Sequence, residues 1–339
     1  MQALRFLAAL LIGFTCCASA ADTHVLDDPA YLHAQQRIEV ERGRRLNLYC
    51  LGRGAPTVIF ESGLTDETST WGLVQPAVAQ KTRACSYDRA GIGFSDAGRR
   101  PASSENIVDD LHRLLATAKI KPPYILVSHS LGGLHAKLFA YLHRDEIAGL
   151  VFVDPSHEDQ RAGLCKLNPR HLTPEQCYEE FIEPGLKTRR TCAALAVYGF
   201  AADTPEYKKC SFGRDAHYSD AINAVHTQID MLPAFQNAQL SEEENMFTTN
   251  TAQLHAARHT LGDLPLIVLT ESPAKRGKTE TQEQRDAKNL LWLTQQQDIA
   301  SLSTRGVDRV VAGAGHAIQF DQPQIVIDAI LEVLAATKR

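Results

Sequence analysis

The stretch Tyr124-Ile125-Leu126-Val127-Ser128-His129-Ser130-Leu131-Gly132-Gly133 decides the fold. Its first half is a continuous β-prone apolar run, the pattern of a strand buried on both faces. From Leu134 to about His143 the residues read as a helix, with Leu138 and Leu142 on one side. A strand that turns into a helix this abruptly needs small residues around the turn, because the backbone there is strained and closely approached. Ser128 and Gly132 meet that need and leave Ser130 at the apex. The helix N-terminus beneath Ser130 favours developing negative charge.

On either side of this unit, β-rich runs alternate with helical patterns, the order expected of a mostly parallel sheet covered by helices. The expected strands are 46–51, 57–62, 83–87, 124–128, 150–154, 266–270 and 308–312. Ile107, Leu111, Leu114, Leu115 and Ala118 recur at helical spacing behind Ser103 and Ser104, either of which can cap a crossover helix. Pro323 opens a closing helix carrying Val326, Ile327, Ile330, Leu331 and Leu334.

The alternation breaks between Pro155 and Asp263, where β-runs give way to helix starts. Thr173-Pro174-Glu175-Gln176 and Ser241-Glu242-Glu243-Glu244 both fit the capping-box pattern, so Glu242 to Glu244 are expected in a solvated first turn. The expected organisation is an α/β core over 21–155 and 263–339, interrupted by a helical cap insertion over 156–262.

The chain opens on an export signal over 1–20: Arg5, an apolar run from Phe6 to Phe14, and the small residues Ala18-Ser19-Ala20. That run is too short to span a bilayer, which takes roughly 20 residues, and no later stretch is membrane-spanning in character. The mature chain is therefore expected to start near Ala21, in the periplasm or outside the cell. Cys16 and Cys17 fall in the signal, leaving Cys50, Cys85, Cys165, Cys177, Cys192 and Cys210. An even set in an exported chain implies disulfides. A net charge of −5 without a basic stripe excludes nucleic acid as an expected partner. The thirteen histidines show no metal-ligand spacing, and no CxxC or HExxH occurs, so neither metal nor organic cofactor is expected.

A serine hydroxyl is a poor nucleophile at neutral pH and needs a base, an acid to orient that base, and donors for an oxyanion. His316 lies in the glycine-rich loop Ala312-Gly313-Ala314-Gly315 that follows the last strand, where it can reach over the strand ends. His129 sits in the turn itself; His112, His135 and His143 fall on helices and read as surface or packing residues.

On the Ser130 turn, the Gly315-His316 loop, Phe60-Glu61-Ser62-Gly63-Leu64 and Tyr87-Asp88-Arg89-Ala90-Gly91-Ile92-Gly93-Phe94-Ser95-Asp96, the chain resembles the α/β-hydrolase fold superfamily, in its capped form. It departs from the usual pattern in two places: Ser62-Gly63 stands for His-Gly, and Ser128 for glycine. The resemblance implies oxyanion donors from the backbone N–H groups of Leu64 and Leu131, a bracing role for Asp88 and Arg89, and an acid after one of two strands. Asp154, at the end of 150–154, is the preferred acid; Glu271, after 266–270, is the alternative. Family strand order also implies a core bridge between Cys50 and Cys85, with the four cap cysteines paired among themselves in one of three ways.

The expected activity is hydrolysis of a small-molecule carboxylic ester through an acyl-enzyme on Ser130. Serine rather than aspartate at the turn argues against the epoxide hydrolases and haloalkane dehalogenases of the fold. Thioesterase, amidase, C–C bond hydrolase and acyltransferase share the acyl-enzyme and stay open, as does a non-catalytic member that binds a ligand under the cap.

Overall fold

The structure is a computed structural model that describes residues 24–337; the export signal expected over 1–20, with Cys16 and Cys17, lies outside the described residues. Eight strands form one sheet: β1 (Gln36–Glu41), β2 (Arg44–Leu51), β3 (Thr57–Glu61), β4 (Ala84–Tyr87), β5 (Tyr124–His129), β6 (Ile147–Val153), β7 (Leu266–Thr270) and β8 (Gly306–Val310). Their order is β1-β2-β4-β3-β5-β6-β7-β8. β2 pairs antiparallel with β1 and β4, and every pairing from β4 to β8 is parallel. This is the mostly parallel sheet expected, with all seven expected strands present.

Alternate residues of the central strands feed the two faces, as the period of a strand requires. Leu126, Leu150 and Val268 pack with the helices Ser104–Thr117 and Gly132–Leu142, whereas Ile125, Val127, Val151 and Leu269 pack under the closing helix Pro323–Ala336. Each such side chain, fully withdrawn from water, contributes roughly 1.5–3 kcal/mol. The strand without a sequence expectation is β1. It lies at the sheet edge and buries Val40 alone, so Arg37, Glu39 and Glu41 can occupy the rest of it.

Between β6 and β7 the chain runs through seven helices, among them Pro174–Phe181, Glu183–Ala196, Asp220–Asp230, Pro233–Met246 and Thr249–Ala257. Disulfides Cys165–Cys177 and Cys192–Cys210 staple this segment, and Cys50–Cys85 joins facing residues of β2 and β4. The capping box at Thr173 forms: its hydroxyl accepts from the Gln176 N–H while the Gln176 side chain accepts from the Thr173 N–H. The one expected at Ser241 does not form. Proline at the first turn starts that helix at Pro233, so Ser241 to Glu244 fall in its second half. Glu242, expected in solvent, is 1% exposed and ion-paired with Arg89.

A further helix, Gln282–Ala300, precedes β8 and was not expected from its weak apolar spacing. It starts on a capping box at Thr281 and Gln284.

Candidate active site

Ser130 follows the last residue of β5 and is held at φ +50°, a left-handed conformation strained for any residue with a side chain. Glycines on the helix side of the turn permit it. A Cβ at Gly132 would lie 2.5 Å from the Ser62 carbonyl oxygen and 2.7 Å from that of Glu61. One at Gly133 would lie 2.5 Å from Pro155 Cβ. Ser128 stands where a glycine is usual; it is wholly buried and its hydroxyl finds no partner.

His316 reaches Ser130 from the loop after β8. Its Nε2 lies 2.9 Å from Ser130 Oγ, and its Nδ1 lies 2.6 Å from Asp154 Oδ2. A carboxylate accepts, so Nδ1 carries the proton and Nε2 is free to accept from the serine hydroxyl. The loop is pinned: Gly315 N–H donates to Asp321, Gly313 N–H to the Ser272 hydroxyl, and Ser272 N–H to the Ala314 carbonyl.

Asp154 directly follows β6, also at positive φ (+43°), and is fully buried. Its second oxygen, Oδ1, accepts from the Glu271 backbone N–H at 3.0 Å and from the Trp292 indole N–H at 2.9 Å. Glu271 therefore meets Asp154 through its main chain. Its carboxyl is held above the usual value by burial and then by the charge of Asp154. Burial alone would push the His316 imidazole down, but the hydrogen bond and charge of Asp154, with Glu271 and Asp66 beyond, hold it above its ordinary value.

On the other side of Ser130 runs the segment Ser62-Gly63-Leu64. A Cβ at Gly63 would lie 3.3 Å from Ser130 Cβ and 2.6 Å from Asp66 Oδ2, so the chain passes against Ser130 where only glycine fits. Arg89 fastens this segment, donating to the carbonyls of Ser62 and Gly63 and to the carboxylates of Glu61 and Glu242. Glu242 in turn accepts from Thr65 N–H at 2.9 Å. In a trans peptide the N–H points opposite to the preceding carbonyl, so anchoring the Gly63 carbonyl on Arg89 turns Leu64 N–H away from it. Leu131, at the N-cap of the helix Gly132–Leu142, is fully buried. Asp88 accepts from Thr68 N–H, Phe94 N–H and the Asn47 side chain, consistent with the bracing expected of it.

Four neighbours of the site were not expected there from the sequence: His129, Asp66, Trp292 and Glu242, the last of them expected in solvent. His129 Nε2 lies 3.0 Å from the His316 carbonyl oxygen and its Nδ1 lies 3.3 Å from Asp66 Oδ2. The carbonyl can only accept, so Nε2 donates to it. Position beside Ser130 was the single signal for His129; the other three meet the site only through tertiary contacts.

The model of the alpha/beta hydrolase family matches residues 58–329. An "AB hydrolase superfamily protein" of Gibberella zeae is 34% identical over 287 residues, 82% of this chain and 86% of that one. Among solved structures, the epoxide hydrolase CorEH superposes with a TM-score of 0.58 at 20% identity, covering 90% of this chain and 98% of that one. The enol-lactonase of Burkholderia xenovorans LB400 superposes at 0.53 with 16% identity, covering 88% and 99%. At such identities the two structures share the fold with this chain, and their different chemistries are their own.

Proposed function

The chain belongs to the alpha/beta hydrolase family, and on that premise we propose that it is an exported serine hydrolase cleaving a small-molecule carboxylic ester through Ser130, His316 and Asp154. The observation that carries the reading is the unbroken series from Ser130 Oγ through both nitrogens of His316 to Asp154. Export is supported by the sequence at 1–20 and by three disulfides, which persist in oxidising compartments. Among the described residues no helix is long and apolar enough to cross a membrane.

The steps follow from the geometry. Ser130 Oγ attacks the ester carbonyl carbon while His316 Nε2 takes its proton, and Asp154 stabilises the imidazolium. The oxyanion is held by the N–H groups of Leu64 and Leu131; losing one such donor lowers turnover by ~10²–10³. The alcohol leaves with the proton from His316. Water, deprotonated by the same imidazole, then attacks the acyl-enzyme and frees Ser130. Glu271 serves as the support of Asp154 and takes no proton.

A fluorophosphonate probe tests this directly. The expected outcome is a covalent adduct on Ser130 of the folded chain, absent in Ser130→Ala, whose turnover falls by ~10⁶ where the three residues act as a unit. No adduct, or one elsewhere, overturns the reading in favour of a ligand-binding protein. A panel of p-nitrophenyl esters of rising acyl length, beside thioester and amide analogues, then separates ester cleavage from its relatives.

A further inference from the structure

His129 ends β5 immediately before Ser130, and its side chain is 7% exposed. Three parts of the site meet on its ring. Through its own backbone the ring belongs to the Ser130 turn. Its Nε2 donates to the His316 carbonyl, which ties it to the loop after β8. Its Nδ1 edge faces Asp66, whose N–H donates to the Gly63 carbonyl and so closes a turn on the Ser62-Gly63-Leu64 segment. A Cβ at Gly63 would lie 2.9 Å from His129 Nδ1, so the ring packs directly against that segment.

The bond to the His316 carbonyl fills a gap in the anchoring of the loop. The bonds from Gly313 N–H, Gly315 N–H and Ser272 N–H hold the loop on the N-terminal side of His316. On the C-terminal side, Phe320 N–H and Asp321 N–H both donate to Ala317, one residue further on. Among the described residues, His129 is the one donor that meets the His316 carbonyl. Fixing that oxygen fixes the peptide from which the His316 side chain projects. The two rings also touch, with centroids 4.7 Å apart and planes 46° from parallel, so His129 closes one side of the space open to the His316 imidazole.

We propose that His129 is a positioning residue for His316, locking its main chain to the Ser130 turn and, through Asp66, to the segment that carries the Leu64 N–H. This role rests on the serine-hydrolase reading above. His129 touches no reacting atom and acts through His316. In the proposed cycle His316 Nε2 must stay within hydrogen-bond reach first of Ser130 and the leaving alcohol, then of water. Misplacing such a group by about 1 Å costs on the order of 10² in rate. Substrate affinity does not draw on the buried ring, so the loss belongs in kcat and not in KM.

The test replaces His129 by amides of two lengths in the full, oxidised chain, assayed on p-nitrophenyl esters. Glutamine carries its amide nitrogen about as far from Cα as Nε2, whereas asparagine reaches only as far as Nδ1. His129→Asn should therefore lose ~10² in kcat with KM little changed, and His129→Gln, which can still donate to the His316 carbonyl, should recover most of that loss. Fluorophosphonate labelling of Ser130, which needs the same base, should slow in the same order. His129→Leu, without a donor, repeats the comparison if His129→Asn does not fold. Thermal unfolding separates positioning from support of the fold: similar midpoints with unlike kcat are expected. Equal rates in all variants and wild type, a loss confined to KM, no recovery in His129→Gln, or losses that track the midpoints each overturn the role of His129 while leaving an active, labelled Ser130 in place. A wild-type chain that neither turns over esters nor labels overturns the serine-hydrolase reading and this role with it.

Discussion

Asp154 and Glu271 both place a carboxylate oxygen within 4.8 Å of the His316 imidazole, and only Asp154 is hydrogen-bonded to it. The fully buried Asp154 is further held by an amide and an indole donor, whereas Glu271 is raised by burial and by its negative neighbour. Asp154→Asn should therefore lower turnover by ~10⁴, while Glu271→Gln stays within about tenfold of wild type because its backbone N–H still supports Asp154. A crippled Glu271→Gln beside an active Asp154→Asn would reverse the assignment. The pH profile gives a second reading. In the proposed mechanism His316 must be neutral to accept the serine proton, so its raised value should place the acid limb of kcat/KM above the ordinary histidine range near 6.5. Removing the charge of Glu271 should move that limb to lower pH in the active Glu271→Gln enzyme. The sign for stability is opposite: the favourable interaction of charged His316 is fully present below about 6.5 and fades as pH rises through the raised value. Half exposure of the imidazole keeps that increment small.

At the scale of elements, the turn between β5 and its helix depends on closeness to the end of β3. Gly132→Ala pushes a methyl into two backbone carbonyls that cannot rotate away. Overpacking of this kind costs about 1–3 kcal/mol and here also displaces Ser130. Gly185, inside the helix Glu183–Ala196, has nothing within 4 Å of an added Cβ, and Gly185→Ala should stabilise by about 0.5–1 kcal/mol. Urea unfolding with parallel rates on the proposed ester substrates distinguishes the two, and equal behaviour would remove the packing argument. The same scale shows which elements were legible. Central strands announced themselves as apolar runs because both of their faces are buried. The edge strand β1 did not, since burying Val40 alone leaves little periodic signal. For the helix Gln282–Ala300 a capping box at Thr281 was readable, but its glutamine-rich sequence hid the apolar face from which Trp292 reaches Asp154. At Ser241 a genuine capping pattern misled, because a helix already begun at Pro233 runs through it.

Across the whole molecule, the segment between β6 and β7 is bound to the sheet through Glu242, which shares Arg89 with Glu61. All three are nearly inaccessible to water. Removing one partner of such a buried set typically costs about 3–5 kcal/mol because a charge is left uncompensated. Glu242→Ala should thus lower both stability and turnover, the latter by loosening the Ser62-Gly63-Leu64 segment, whereas Glu243→Ala breaks a part-exposed pair with Arg189 and should cost less than about 1 kcal/mol. Denaturant unfolding of the two variants checks this, and similar losses would refute the role given to Glu242. The sequence by itself determined the layered α/β architecture, Ser130 at its turn, His316 in its late loop and six cysteines available for pairing, because each is written in local spacing. Tertiary structure alone decided that Asp154 rather than Glu271 hydrogen-bonds His316, which cysteines of the helical segment join, and that Glu242 leaves solvent for Arg89. Those outcomes depend on distances between residues 12 to 162 positions apart, which local patterns of polarity do not encode.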